Sequence, residues 1–239
     1  MYQNLAHDKI LETCTEMQER IAEKFPGSGL SKVAREIREI SAQAASLSEW
    51  LSRPHMALRI LAGAGILCVL TIVIGCALSV KLRPTFSSIS EFLQGSEAAI
   101  NEIVFLGIAI VFFITLENRL KRRRALKAIH VLRSVAHIID MHQLTKDPER
   151  ITGPVPAGAP GVRRPLSPQD LIRYLDYCSD LLALISKIAA LYVQKFDDPV
   201  TLAAVNEVEN LTNGLSRKIW QKIMILDRIL APGGYSSRV

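Results

Sequence analysis

Three histidines and one acid crowd a short stretch: His130, His137 and His142, with Asp140 between the last two. Imidazole titrates near physiological pH and is the commonest metal ligand, so proton sensing and metal binding are the chemistries to weigh. On a helix, His130 and His137 share a face two turns apart, about 10 Å between backbone positions, too far for one metal ion to bridge. His137 and Asp140 form at most half a metal site. The stretch therefore reads as a polar strip of His130, His137 and Asp140, structural or pH-sensing, and no metal or other cofactor is expected. Arg124 and His130 also fit the arginine-to-histidine spacing of helical ribonuclease domains, but Arg124 already belongs to a basic run with a topological explanation. No Ser/His/Asp constellation, Gly-rich phosphate loop or H-E-x-x-H motif is present, so the chain does not read as an enzyme.

A second polar group is Glu97, Asn101 and Glu102. In a ring of subunits these three would line the outer mouth of a pore, where acidic side chains favour cations. The plainer reading is that they mark where hydrocarbon ends. The chain has no T-V-G-Y-G filter, G-M-N loop or W-D-I-M-E entrance.

Both groups depend on the elements that carry them. Ile60 to Val80 is a run of 21 uncharged, mostly apolar residues between Arg59 and Lys81. As a helix it is about 32 Å long, close to the thickness of a bilayer's hydrocarbon core. A second run, Ile103 to Leu116, has only 14 residues and must extend back to Ala98 to cross. The spans are therefore set at about 57–80 and 98–117, and the intervening Phe86, Ile89, Leu93 and Ile100 suggest an interfacial helix leading into the second. Ala64, Cys68, Thr71, Gly75 and Ser79 form a stripe of small or weakly polar residues on the first span. Such residues let helices approach closely in lipid, here either the second span or a neighbouring subunit.

The charge is as localised as the hydrophobicity. Arg119, Lys121, Arg122, Arg123, Arg124 and Lys127 follow the second span; without those six, the remaining 23 Lys and Arg balance 23 Asp and Glu. The net charge of +6 is thus a juxtamembrane cluster suited to contact anionic lipid. A nucleic-acid site would need a basic face with stacking aromatics, and aromatics are only 6% of the chain. The inter-span loop holds only Lys81 and Arg83, so both termini are expected in the cytoplasm, at the inner membrane of a cell. Neither a disulfide framework nor a signal peptide is read from the sequence.

The fold class is all-α: a two-helix transmembrane hairpin with amphipathic cytoplasmic helices before and after it. Residues 1–54 read as a helical hairpin with stripes Ile10, Cys14, Met17, Ile21, Phe25 and Leu30, Val33, Ile37, Ile40, Ala44, Leu47, Leu51. Pro26 to Gly29 separates the two helices, and Ser31 is the expected cap of the second. Trp50 is the expected membrane-interface anchor before residues 55–120, the hairpin in the bilayer. Residues 121–144 read as a juxtamembrane helix so apolar that partners must enclose it. Residues 145–167 form a Pro/Gly-rich linker and 231–239 a disordered tail. In 168–230, a second helical hairpin, Ser167 caps a helix with stripe Leu175, Cys178, Leu182, Ile185, Ala189, Tyr192, Phe196. The last helix carries Leu202, Val205, Val208, Leu215, Ile219, Ile223, Leu226 and Leu230, with Gly214 a possible kink.

The layout resembles that of bacterial two-span membrane families. Its stripes amount to more apolar surface than one thin subunit is expected to bury. The leading expectation is a non-enzymatic membrane scaffold that forms a homo-oligomer through those heptad-striped helices. The alternatives are an oligomeric channel and a membrane tether that docks a soluble protein partner at 168–230.

Overall fold

The computed structural model describes residues 5–81, 89–146 and 166–230, and these are all-helical with no strand. The helices are α1 (His7–Lys24), α2 (Gly29–Ser52), α3 (Met56–Lys81), α4 (Ile89–Leu144), α5 (Pro168–Leu191) and α6 (Pro199–Leu230). The linker proper (147–165), the tail (231–239) and the loop positions 82–88, Phe86 among them, lie outside the described residues. The chain divides into two compact units, residues 53–123 and the remainder.

The larger unit is built on α5. Its stripe is buried as the spacing predicts, but so are Leu171, Tyr174, Leu181, Leu184, Ile188 and Leu191, so α5 is enclosed on most sides. Ser167 caps it, accepting the Asp170 backbone N–H at 3.1 Å. Against it pack α1, α2 and α6. Lys24 meets Asp170 at 2.9 Å, and residues near the start of α1 share a groove with Asp180 to Lys187, so α1 runs antiparallel to α5. At the far end of α2, Ser48 donates to the Leu191 carbonyl at 3.0 Å. The later part of α4 joins the same core through Ala125, Ile129, Leu132, Ala136 and Ile139. Its Arg133 pairs with Glu207 at 3.2 Å, and the Gln143 carbonyl accepts from Lys222 at 2.9 Å, so α4 and α6 run parallel.

The turn between α1 and α2 needs Gly27, whose φ of 68° is left-handed and strained for a residue with a Cβ. The cap differs from expectation: Ser28, not Ser31, supplies the oxygen, accepting the Ser31 N–H at 3.1 Å. The stripe of α6 is also corrected. Leu202 and Leu230 are exposed, and Thr201 and Thr212 point inward instead. Asp198 fixes that rotation by accepting both the N–H and the hydroxyl of Thr201, at 2.9 and 2.8 Å. Gly214 makes no break, since α6 runs unbroken from Pro199 to Leu230.

Two further expectations change. Residues 121–144 are not enclosed all round: one heptad face is buried, while Val131, Ile138, Met141 and Leu144 remain exposed. The stripes outside the two long apolar segments also find their partners within one chain, in a single core shared by α1, α2, α4, α5 and α6. Several short stripes close against one another once the sequence-distant helices are brought together, so no second copy is required to cover them.

In the smaller unit, α3 has 26 residues and α4 begins at Ile89 without a break at Glu102. Both are long and apolar enough to cross a membrane. The shortness of the second apolar run is thus no obstacle, and there is no separate interfacial helix among the described residues. Half-buried Leu58, Ala62, Gly65, Val69 and Val73 follow helical spacing along α3. A Cβ on Gly65 would stand 2.6 Å from the Phe113 ring, so glycine is what lets α4 approach there.

Two outcomes test this packing. Leu182 is fully buried, and Leu182→Ala is expected to cost about 2–5 kcal/mol in denaturant unfolding of the detergent-extracted chain. Burial, with the Lys146 ammonium nearby, holds the His142 imidazole below its ordinary value. The folded state then binds fewer protons than the unfolded one in that range. The His142 contribution is complete above about pH 6.5 and is lost as pH falls through the lower folded value. His142→Gln is expected to flatten this acid-side decline when stability is measured from about pH 7.5 to 5.

Candidate functional site

The most elaborated polar site lies in residues 53–123, where α3 begins. Pro54 disfavours a helical Arg53 and separates α2 from α3. The first intrahelical bond of α3 runs from the Arg59 N–H to the His55 carbonyl at 3.1 Å, which makes His55 its cap residue. A helix start leaves backbone N–H groups unsatisfied and favours a negative charge. Here that charge comes from another helix: Glu117 of α4 accepts the His55 backbone N–H at 3.2 Å. The same carboxylate takes Arg59 Nε at 2.8 Å and Lys121 Nζ at 2.9 Å. Lys121 also donates to the Arg53 carbonyl at 2.8 Å, closing the cluster onto the chain just before α3.

Burial separates this cluster from ordinary surface pairs. The side chains of Glu117 and Lys121 are only 13% and 8% exposed, whereas Arg59 is 60% exposed. Two largely dehydrated charges need each other and need further hydrogen bonds, and both conditions are met. The arrangement fixes the start of α3 to a defined turn of α4. It presents no nucleophile beside a base, and its chemistry is positional.

The juxtamembrane cations are placed in different ways. Arg119, Arg123, Arg124 and Lys127 are exposed, and Arg122 is half-buried. Arg119 lies over the Phe112 ring, 5.5 Å from its centroid, and Arg124 over Trp50 at 4.1 Å. Trp50 is therefore half-buried against α4. Lys121 departs from the lipid-contact expectation: its ammonium is turned inward, because Glu117 one helical turn earlier and the Arg53 carbonyl satisfy it there.

The other expected groups are less assembled. Glu97 and Asn101 are exposed one turn apart on α4, and Glu102 is half-buried. Ala64, Cys68, Thr71 and Gly75 are exposed, off the face that meets Phe113, and Ser79 lies outside the described side chains. The Thr71 hydroxyl donates to its own helix at the Cys68 carbonyl, 2.8 Å away. His130 and His137 are exposed, while half-buried Asp140 accepts from Gln143 Nε2 at 2.6 Å, not from a histidine. Among the described residues no three His, Cys, Asp or Glu side chains gather closely enough to hold a metal ion. An open groove of about 370 Å³ lies between α1 and α5, floored by Ile10, Met17 and Leu184.

Arg59 is not joined to Glu117 and Lys121 by any local pattern in the sequence. The local signal was present in the Glu117–Lys121 spacing of one helical turn. What linked it to Arg59 was the pairing of two apolar runs, each ending in a charge at the same end.

Fold and site together define an all-helical protein with two helices able to span a membrane and a buried ionic clasp at the start of the first. Compared with protein-family models, curated proteins and solved structures, the chain matches none.

The clasp gives a sharp contrast between charges. Glu117→Gln leaves Lys121 dehydrated without its carboxylate and is expected to cost about 2–4 kcal/mol. Arg119→Gln, at an exposed position, is expected to change stability by less than about 0.5 kcal/mol. Thermal unfolding of both variants in the same detergent checks the difference.

Proposed function

We propose that the chain is a non-enzymatic two-span membrane protein that self-assembles into a homo-oligomer and acts as a membrane scaffold. Its spans form a hairpin held at its base by the Glu117 clasp, with both termini in the cytoplasm at the inner membrane. The observation that carries the reading is the two-faced character of α3. One face meets Phe113 at Gly65, and Ala64, Cys68 and Thr71 lie exposed elsewhere on the helix. Small residues on a lipid-exposed face allow a second helix to approach closely, and packing of that kind drives association where water is absent. The cytoplasmic stripes are already occupied, so assembly is assigned to the spans and to outer faces of the helices. Exposed Arg119, Arg123, Arg124 and Lys127 suit anionic headgroups, and nucleic acid is not among the proposed partners.

A channel is the second reading, favoured by Glu97 and Asn101, which are exposed one turn apart on α4. It requires ion flux in reconstituted liposomes that changes with Glu102→Gln. A tether is the third: Trp220 and Met224 on α6 are 55% and 58% exposed, the kind of surface a soluble partner would cover.

Cross-linking in native membranes is expected to give discrete species larger than the monomer. Ala64→Leu with Thr71→Leu is expected to lower their yield at least about tenfold without unfolding the chain, since both positions face outward. A wild-type chain that cross-links only as monomer would exclude the scaffold reading.

A further inference from the structure

Two outer faces of the larger unit are chemically complementary, one a column of carboxylates and the other a column of lysine and histidine. On α1, Asp8, Glu12, Glu16, Glu19 and Glu23 recur every three or four residues, and all five are exposed. Their column is about 22 Å long. Of the cations of α1, Lys9 pairs with Glu12 at 2.7 Å and Lys24 is turned to Asp170, while Glu16, Glu19 and Glu23 make no ion pair with α1 among the described residues. On α4, Lys127, His130, Ser134 and His137 form an exposed column with the same spacing. Between residues 124 and 144 the only acidic residue is Asp140, half-buried and held by Gln143, while Arg124 and Arg133 stand on either flank of the column. Lys127, His130 and His137 make no ion pair among the described residues.

Direction and height match as well. α2 lies antiparallel to α4, because its start meets His142 at Gly29 and its end meets Arg124 at Trp50. α1 precedes α2 through a tight turn and runs back along it, with Cys14 beside Ser41. Hence α1 and α4 point the same way. Spacing along α2 places Cys14 level with about residue 132 of α4, which sets Glu16 level with Ser134 and Glu19 near His137.

A rotation about an axis along the helices, with no shift along it, therefore brings the acidic face of one copy against the basic face of the next. Parallel direction and equal height are the conditions for such a heterologous contact to close into a ring instead of climbing into a filament. Antiparallel helices or mismatched heights would not allow it.

We propose that neighbouring copies pack side by side, with α1 of one chain against the lysine–histidine face of α4 of the next. The occupant of each face is a second copy, because the complementary column is carried by the same chain. The inference rests on the homo-oligomer reading and names the cytoplasmic contact within it. Lys127 lies nearest Asp8, His130 meets Glu12 and His137 meets Glu19, while Ser134, level with Glu16, leaves room at the centre for close approach.

The test uses full-length chain in membranes. One chain carries Glu16→Cys and a co-expressed chain carries Ser134→Cys, and a short bis-maleimide is expected to join them. Reversing one face with Glu12→Lys, Glu16→Lys and Glu19→Lys, or the other with Lys127→Glu, His130→Glu and His137→Glu, moves charge only at exposed positions. For these chains the thiols sit one turn away, at Glu23→Cys and Met141→Cys. Either reversal alone is expected to cut inter-copy linkage at least about tenfold, and a chain with both reversals is expected to regain it. Raising salt from about 0.05 to 0.5 M is expected to weaken linkage in the wild type. Recovery in the doubly reversed chain also shows that the single reversals did not unfold the protein. Linkage unchanged by either single reversal, or not regained in the combined chain, overturns the contact while particle size still reports whether the oligomer exists. A monomeric wild-type particle overturns both.

Discussion

A helix that is apolar around most of its circumference has to be enclosed, and in this chain that helix is α5. Eleven of its 24 residues are buried, more than on either α1 or α2. Enclosure on that scale needs neighbours from both sides in sequence. α1 and α2 arrive before the two long apolar segments, and α6 and the later part of α4 after them. The core is thus made from parts that the spans separate by more than 70 positions, a non-local assembly that depends on both ends of the chain. Removing volume from α5 touches α1, α2 and α6 together, which is why Leu182 is the informative position.

The same accounting distinguishes the two units. In the larger one, apolar surface is covered by helices, and polar caps at Ser167 and Asp198 set where those helices start and which way they face. In the smaller one, the large apolar residues Ile60, Leu67, Ile103 and Phe105 are 64–71% exposed. Exposure of that extent along two long helices is what helices able to cross a membrane present to lipid. Their contact is fixed by a small number of features: Gly65 beneath Phe113, and Glu117 holding the first turn of α3.

Periodicity was legible wherever a stripe had a polar background. The stripes of α1, α2 and α5 could be read because the residues between them are largely charged or polar, and the Ser167 cap followed from its own four residues. It failed on α4, where Val131, Ile138 and Met141 on the outer side hid the inner row of Ala125, Ile129, Leu132, Ala136 and Ile139. It failed again at Thr201 and Thr212, because a hydropathy pattern does not rank a threonine above Leu202. The deciding influence there is Asp198, which captures the Thr201 hydroxyl and turns the helix by one position. The clasp lay beyond local reading for a different reason: Arg59 and Glu117 are 58 residues apart. The expectation that the stripes require a second copy erred by treating each helix as if its own hairpin were its only neighbour.

Once the apolar stripes are satisfied inside one chain, the proposed recognition between copies falls to what is left outside. That remainder is of two kinds, small residues on α3 and charged columns on α1 and α4, and they act under opposite physical conditions. Close packing of small residues is effective in lipid and insensitive to salt. Charge pairing across exposed faces is worth little per pair in water, about 0.2–1 kcal/mol, but several pairs in register select orientation and partner. The buried Glu117–Lys121 pair belongs to neither kind. Its loss strands a dehydrated ammonium inside one chain, so its energetic signature is stability and not association. Charge in this protein therefore divides by burial: paired and dry at the start of α3, where it fixes geometry, and hydrated on the outer helices, where the proposed contact would use it.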